Sequence, residues 1–155
     1  MQDIYVVGVG MTPFGKFRDK TIKDMTGEAV TAALSDAGVT ADRIDGAFFS
    51  NAVQGHMEGQ HMIRGEIALR EMGIQGIPVV NVENACASAS TGFKLAVDFL
   101  KAGNGDCCLA VGAEKMYSDD RALMFSAFDS GWDVSNGEEV ARRLADLGAG
   151  VEEPE

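Results

Sequence analysis

The sequence predicts an α/β fold in which strands and helices alternate as βαβαβαβ, forming a mostly parallel or mixed sheet with helices on both faces. Apolar runs at Asp3–Gly10, Asp45–Ser50, Ile77–Val82 and Cys107–Gly112 read as strands. Helical spacing of apolar residues fills the stretches between them. The 155 residues suffice for one domain with a genuine core and are too few for two comfortable ones.

The first run, rich in Tyr5, Val6, Val7 and Val9, is closed by Gly10 and Pro13. Its Gly8-Val9-Gly10 invites comparison with a dinucleotide fingerprint. That motif needs a third glycine opening a helix, and Thr12-Pro13-Phe14 stands there instead. Thr21 with Asp24 makes a capping-box start for a helix over Thr21–Ala37, with Ile22, Met25, Ala29, Ala33 and Ala37 on one face and Gly38 as its stop. After the second strand, Asn51–His61 is a glycine-rich polar loop carrying His56 and His61. A helical pattern through Ile63, Ile67 and Leu69 then runs to Gly73. Five residues between the two histidines fit neither one helix face nor a metal pair. Each is therefore weighed as a solvated loop residue or as a base.

The chain is organised around the third strand and the helix that it leads into. Val79, Val80 and Val82 suit a buried strand, whereas Ala89, Phe93, Ala96, Val97 and Leu100 recur at helical spacing. Cys86 sits where one pattern gives way to the other, on a strand-to-helix turn. Its neighbours Ala85, Ala87, Ser88, Ala89, Ser90 and Gly92 are small and leave room for a substrate or a close-packed element. The first amides of a helix lack internal partners and favour a thiolate or an oxyanion. The dipole is worth about 1 kcal/mol, less than tenfold in ionisation, so an efficient nucleophile needs a base from elsewhere. A structural thiol in a tightly packed helix is the alternative reading. Cys107 and Cys108 are neighbours on the fourth strand, face opposite sides of the sheet, and read as packing residues.

Glu114–Trp132 mixes Met116, Tyr117, Met124, Phe125, Phe128 and Trp132 with aspartates and has no clean period. It is a binding loop, an interface or core packing. Glu138–Leu147 predicts a short helix. Residues 1–116 thus form the α/β domain. Residues 117–155 form an irregular loop-and-helix extension of it, either an interface or an incomplete part.

A formal net charge of −11, without a basic run, argues against nucleic acid as a partner. Three cysteines without a CxxC, and two histidines, point to neither a disulfide scaffold nor a zinc site. A reducing cytoplasm fits best. No basic leader or membrane-length apolar run is present, so a soluble chain without membrane contact is expected.

Glu83-Asn84-Ala85-Cys86-Ala87-Ser88-Ala89-Ser90 resembles the nucleophile segment of thiolases, in particular the sterol-carrier or lipid-transfer branch. Gly112-Ala113-Glu114-Lys115-Met116 resembles that branch's segment after the next strand, and Val7–Phe14 its opening. Asn51-Ala52-Val53-Gln54-Gly55 with Gly59-Gln60 is similar to the family's glycine- and glutamine-bearing loop. The resemblance covers Ile4 to Met116 and fades in the acidic tail.

It implies one half of a doubled, layered α/β fold, in which Cys86 accepts the acyl group of a 3-oxoacyl-CoA and its amide contributes to an oxyanion hole. Gln54, His56, His61, Asn84, Ser88 and Met116 become substrate-lining candidates. Coenzyme A enters as substrate, and no permanently bound cofactor or metal is implied. Segments matching the family's histidine and second, acid-base cysteine do not occur. The chain therefore reads as the first half of a thiolase, either a fragment or a natural subunit with a companion. By resemblance, that companion is a second thiolase half or a zinc-binding OB-fold subunit, the latter known beside lipid-transfer-branch thiolases, some in aromatic-acid breakdown. A homo-oligomer or hetero-oligomer is implied. A ketoacyl-synthase-type condensing enzyme shares the fold and is the remaining alternative.

Overall fold

The computed structural model describes residues 3–150. At its centre lies β1 (Gly46–Ser50), every residue of which is buried. It pairs in parallel with β2 (Val79–Val82) on one side and β3 (Cys108–Gly112) on the other, giving the order β2-β1-β3. Phe48 stands opposite Val80 and Ala110, and Ser50 opposite Val82 and Gly112.

Period-two alternation along β1 divides the core into two sides. Ala47 and Phe49 face α1 (Ile22–Ala37) and α3 (Arg64–Arg70), packing with Val30, Ile22, Met25, Ala68 and Leu69. Phe48 faces the opposite layer, α4 (Ser88–Lys101), where Val82 and Ala96 close around it. Phe99 meets Phe48 edge-on, with centroids 6.0 Å apart. Helices thus cover both faces, as a parallel sheet requires.

The start and stop signals of α1 act as the sequence predicts. Thr21 and Asp24 form a reciprocal capping box, and Gly38 closes the helix at φ 66°. The loop after β1 differs from its expected irregular form, because Gln54–Glu58 winds into a short helix, α2, capped by Gly59. The two strand cysteines diverge as expected. Cys107 packs against the α1 side and Cys108 against the α4 side.

The predicted first strand does not form. Residues 3–10 run as an extended loop across α1 instead of pairing with β3, and Val9 N–H donates to Asp36 Oδ2 at 2.9 Å. The cause is the absence of side chains at Gly8 and Gly10. A Cβ at these positions would lie 2.4 Å from the Ala33 carbonyl oxygen and 2.1 Å from that of Ala29. Two glycines thus let the segment rest directly on the alanine face of α1. Tyr5 and Val9 consequently remain 74% and 69% exposed, and a cavity of about 330 Å³ separates the segment from β3.

Beyond β3 the chain forms α5 (Arg121–Ser126) and α6 (Gly137–Gly148). Core packing of the aromatic segment is not what the fold realises, since Phe125, Phe128 and Trp132 are exposed and Ala127 alone of the stretch Arg121–Trp132 is buried. Arg142 and Arg143 pair with Glu139 along the solvated face of α6. No helix among the described residues is long and apolar enough to cross a membrane.

Packing between α3 and β1 relies on Gly65, where a Cβ would come 2.5 Å from Phe49 Cβ and 3.0 Å from Val79 Cγ1. Because Phe49 Cβ is fixed to the central strand, it has no room to yield. Gly65→Ala is expected to destabilise the fold by about 1–3 kcal/mol, read as a lower midpoint in urea denaturation.

Candidate functional site

Parallel pairing sends the segments after β1, β2 and β3 off the same edge of the sheet, because Val82, Ser50 and Gly112 end side by side. That edge is where folds of this class place their chemistry. Every sequence-predicted site residue leaves from it: Gln54, His56 and His61 after β1, Asn84, Cys86 and Ser88 after β2, and Met116 after β3.

Cys86 lies in a single 3₁₀ turn, Ala85–Ala87, between β2 and α4, and its side chain is exposed. The strand-to-helix position read from the sequence is therefore correct, and the reading of a buried structural thiol is not. Ala87 N–H donates to the Asn84 carbonyl at 2.9 Å, and Ala85 N–H to Glu83 Oε1 at 2.6 Å. The Cys86 amide between them has no hydrogen-bond partner among the described residues. Ser88 is buried, and its hydroxyl accepts from Asn84 N–H at 2.8 Å while donating to the Ala85 carbonyl at 2.7 Å. Asn84 Nδ2 donates to Thr91 Oγ1 at 3.0 Å. Asn84 and Ser88 are thus committed to shaping the turn.

Neither histidine hydrogen-bonds Cys86 among the described residues. His56 Nε2 lies 3.0 Å from Ser126 Oγ and 3.3 Å from the Leu123 carbonyl. These two contacts tie the β1 loop to α5 through His56, and the Ser126 hydroxyl lies within hydrogen-bond distance of the same Leu123 carbonyl, at 3.0 Å. The ring of His61 lies on Gly55, where a Cβ would sit 2.6 Å from Nδ1. Gln54 is buried and donates through Nε2 to Glu58 Oε2 at 3.0 Å, whereas its Oε1 is buried without a partner. Met116 is half-buried.

Sequence reasoning assigned no role to Glu114, which builds the rim. Its carboxylate accepts from Ala52 N–H at 2.7 Å and Asn51 Nδ2 at 2.9 Å, while Asn51 Oδ1 accepts from Arg64 Nη1 at 2.7 Å. The signals of Glu114 were its place just past a strand end and within the Gly112–Met116 segment that resembles the family. Lys115, beside it, donates to the carbonyls of Arg18 and Lys20 at 3.2 and 2.6 Å, so the ammonium serves the scaffold.

Burial pushes the Cys108 thiol up to about 11, and its sulfur donates to the Gly46 carbonyl at 3.1 Å. Burial, followed by the nearby Asp45 carboxylate, raises Cys107 as well. Both remain thiols near neutrality and pack as read from the sequence. Among the described residues no group of three or more His, Cys, Asp or Glu side chains is placed to hold a metal ion.

The family model for the thiolase N-terminal domain matches residues 4–145. The chain belongs to the thiolase family. Among curated relatives, this thiolase-family chain is 36% identical to non-specific lipid-transfer protein-like 2 of Caenorhabditis elegans, over 93% of its own length and 37% of that protein's. It is 34% identical to sterol carrier protein 2 of Gallus gallus, covering 79% of this chain and 22% of the relative. Identity to an acetyl-CoA acetyltransferase of Methanothermobacter thermautotrophicus is 33%, over 88% and 36% respectively. The chain thus spans well under half the length of these relatives. In fold it is similar to 3-oxoacyl-[acyl-carrier-protein] synthase III of Aquifex aeolicus, with TM-score 0.57 and 17% identity over 68% of this chain and 35% of that one. A priming β-ketosynthase of the R1128 polyketide pathway aligns at TM-score 0.57 and 26% identity, over 70% of this chain and 33% of that one.

Thiol accessibility differs sharply among the three cysteines. Iodoacetamide at neutral pH is expected to alkylate Cys86 roughly tenfold or more faster than Cys107 or Cys108, as resolved by peptide mass mapping.

Proposed function

We propose that this chain is the nucleophile-bearing half of a thiolase-type acyltransferase acting on coenzyme A thioesters. The observation that carries the reading is the exposed Cys86, at the carboxyl edge of the parallel sheet and at the entrance to α4, within a segment matched by the family model. Its sulfur attacks the 3-oxo carbon of a 3-oxoacyl-CoA after giving its proton to a base. The Sγ–C3 bond forms and the C2–C3 bond breaks. The released electron pair resides on the enolate of acetyl-CoA, which then takes up a proton. A second coenzyme A thiol loses its proton, attacks the thioester, and frees the shortened acyl-CoA and the Cys86 sulfur. Condensation is the reverse.

In this reading the Cys86 amide, which has no partner among the described residues, stabilises the oxyanion formed at each attack. Met116, Gln54, His56 and His61 line the approach instead of supplying the base, consistent with the commitment of His56 Nε2 to α5. The base and the second, acid-base cysteine come from a C-terminal half or a companion chain. Such a base contributes about 10²- to 10⁴-fold, far more than a helix end. This chain alone therefore acylates slowly. Coenzyme A is a passing substrate, and the setting is cytoplasmic.

A second reading draws support from the exposed Phe125, Phe128 and Trp132. In it the chain is a non-catalytic subunit whose aromatic face is covered by a partner in an acyl-CoA complex, for example a zinc-binding OB-fold protein. A homo-oligomer covers the same face in the first reading. The thiolase family match favours either over a ketoacyl-synthase-type enzyme, whose likeness here lies chiefly in the fold.

Incubation with an acyl-CoA is expected to add one acyl mass at Cys86, seen by intact mass spectrometry and lost in Cys86→Ala. Acylation at Cys107 in its place, or none at all, would overturn the first reading.

A further inference from the structure

We infer that Glu83 and Ser88 are positioning residues for Cys86, clamping Ala85 in a left-handed backbone conformation that aims the sulfur and its amide off the edge of the sheet. This deepens the reading of Cys86 as acyl acceptor and rests on it. Ala85 has φ 46°, a region that L side chains enter only at a cost and that glycine enters freely. Strain of this kind persists only where surrounding contacts over-determine it.

Those contacts are present on both sides of Ala85. Its N–H donates to Glu83 Oε1 at 2.6 Å, and its carbonyl accepts from Ser88 Oγ at 2.7 Å. The same hydroxyl accepts Asn84 N–H at 2.8 Å, so one buried side chain spans both peptides flanking Asn84 and Ala85. Ser88 is in turn fastened to the central strand, because Ser50 Oγ donates to its carbonyl at 3.0 Å. Gly92 makes this approach possible, since a Cβ there would lie 2.5 Å from Ser50 Oγ. A continuous path of hydrogen bonds thus runs from β1 through Ser88 to the residue before the nucleophile.

Glu83 is otherwise an odd neighbour for a sulfur that reacts as a thiolate, because a nearby carboxylate opposes the second negative charge. Acceptance of the Ala85 amide accounts for its presence. Its contribution is geometric, a fixed acceptor that stops the turn from relaxing into an unstrained conformation with the sulfur misdirected.

The test measures thioester formation on Cys86 from an acyl-CoA over a range of concentrations. Glu83→Ala is expected to lower the maximal rate roughly tenfold, about 1.4 kcal/mol, with the half-saturating concentration unchanged. Glu83→Gln keeps the acceptor, discards the charge, and should stay within about threefold of the unsubstituted rate. Adding Ala85→Gly to Glu83→Ala should recover most of the loss, because glycine holds positive φ without the clamp. A Gln variant as slow as Ala, no recovery in the double variant, or an effect confined to the half-saturating concentration would overturn the proposal.

A second measurement needs no variant and no acylation. In the unsubstituted chain, the NMR signal of the Ala85 amide proton should move upfield as acid protonates Glu83, and an amide that ignores the titration also overturns the clamp. Failure of the unsubstituted chain to acylate counts against Cys86 as acyl acceptor, and the amide titration then still decides the clamp.

Discussion

Parallel pairing of β1 with a strand on each side is the constraint that creates the site. Three strands running the same way end together, so the segments carrying Gln54, Cys86 and Met116 must converge on one edge. Parallel strands also demand long crossovers, and these become α3 and α4, on opposite faces. Burial of Ala47 and Phe49 on one side and Phe48 on the other locks β1 in register, because a one-residue slip would exchange the two sides.

Small residues and directed hydrogen bonds then convert this scaffold into a turn that presents a sulfur. Gly92 lets α4 approach Ser50, Ser88 carries that contact to Ala85, and Glu114 gathers the neighbouring loop by its backbone amides. The result is an exposed sulfur at the carboxyl edge of the sheet, beside a backbone amide that has no partner among the described residues. The two histidines are engaged elsewhere: His56 Nε2 lies 3.0 Å from Ser126 Oγ of α5, and the ring of His61 rests on Gly55. The aromatics of the α5 segment and the leucines of α6 leave a stretch of exposed apolar surface.

Elements whose signals are local were legible in the sequence alone. The Thr21–Asp24 box and Gly38 bounded α1, and the change of period at Cys86 located the turn. Adjacency sent Cys107 and Cys108 to opposite faces. Misreadings arose where distant residues compete. The valines of residues 3–10 carry β propensity, yet Gly8 and Gly10 open a closer approach to the alanines of α1 than any side chain would allow. Apolar content in the α5 segment left core packing and an exposed loop or interface both open, because a residue's type does not say whether a neighbour is there to cover it. Glu83 and Glu114 stood in the family-like segments without a role, because a carboxylate accepting backbone amides has no spacing rule to betray it.

The sequence by itself determined the α/β class, the limits of α1, the strand-to-helix position of Cys86 and the family, because caps, periodicity and short motifs act within a few residues of chain. Only the tertiary structure decided which strands pair, that residues 3–10 lie on a helix, that His56 meets α5 and that Ala85 is hydrogen-bonded on both sides at positive φ. Each of these depends on contacts between atoms that the chain brings together across loops, where the outcome is a competition of packing and hydrogen bonding that no local pattern encodes.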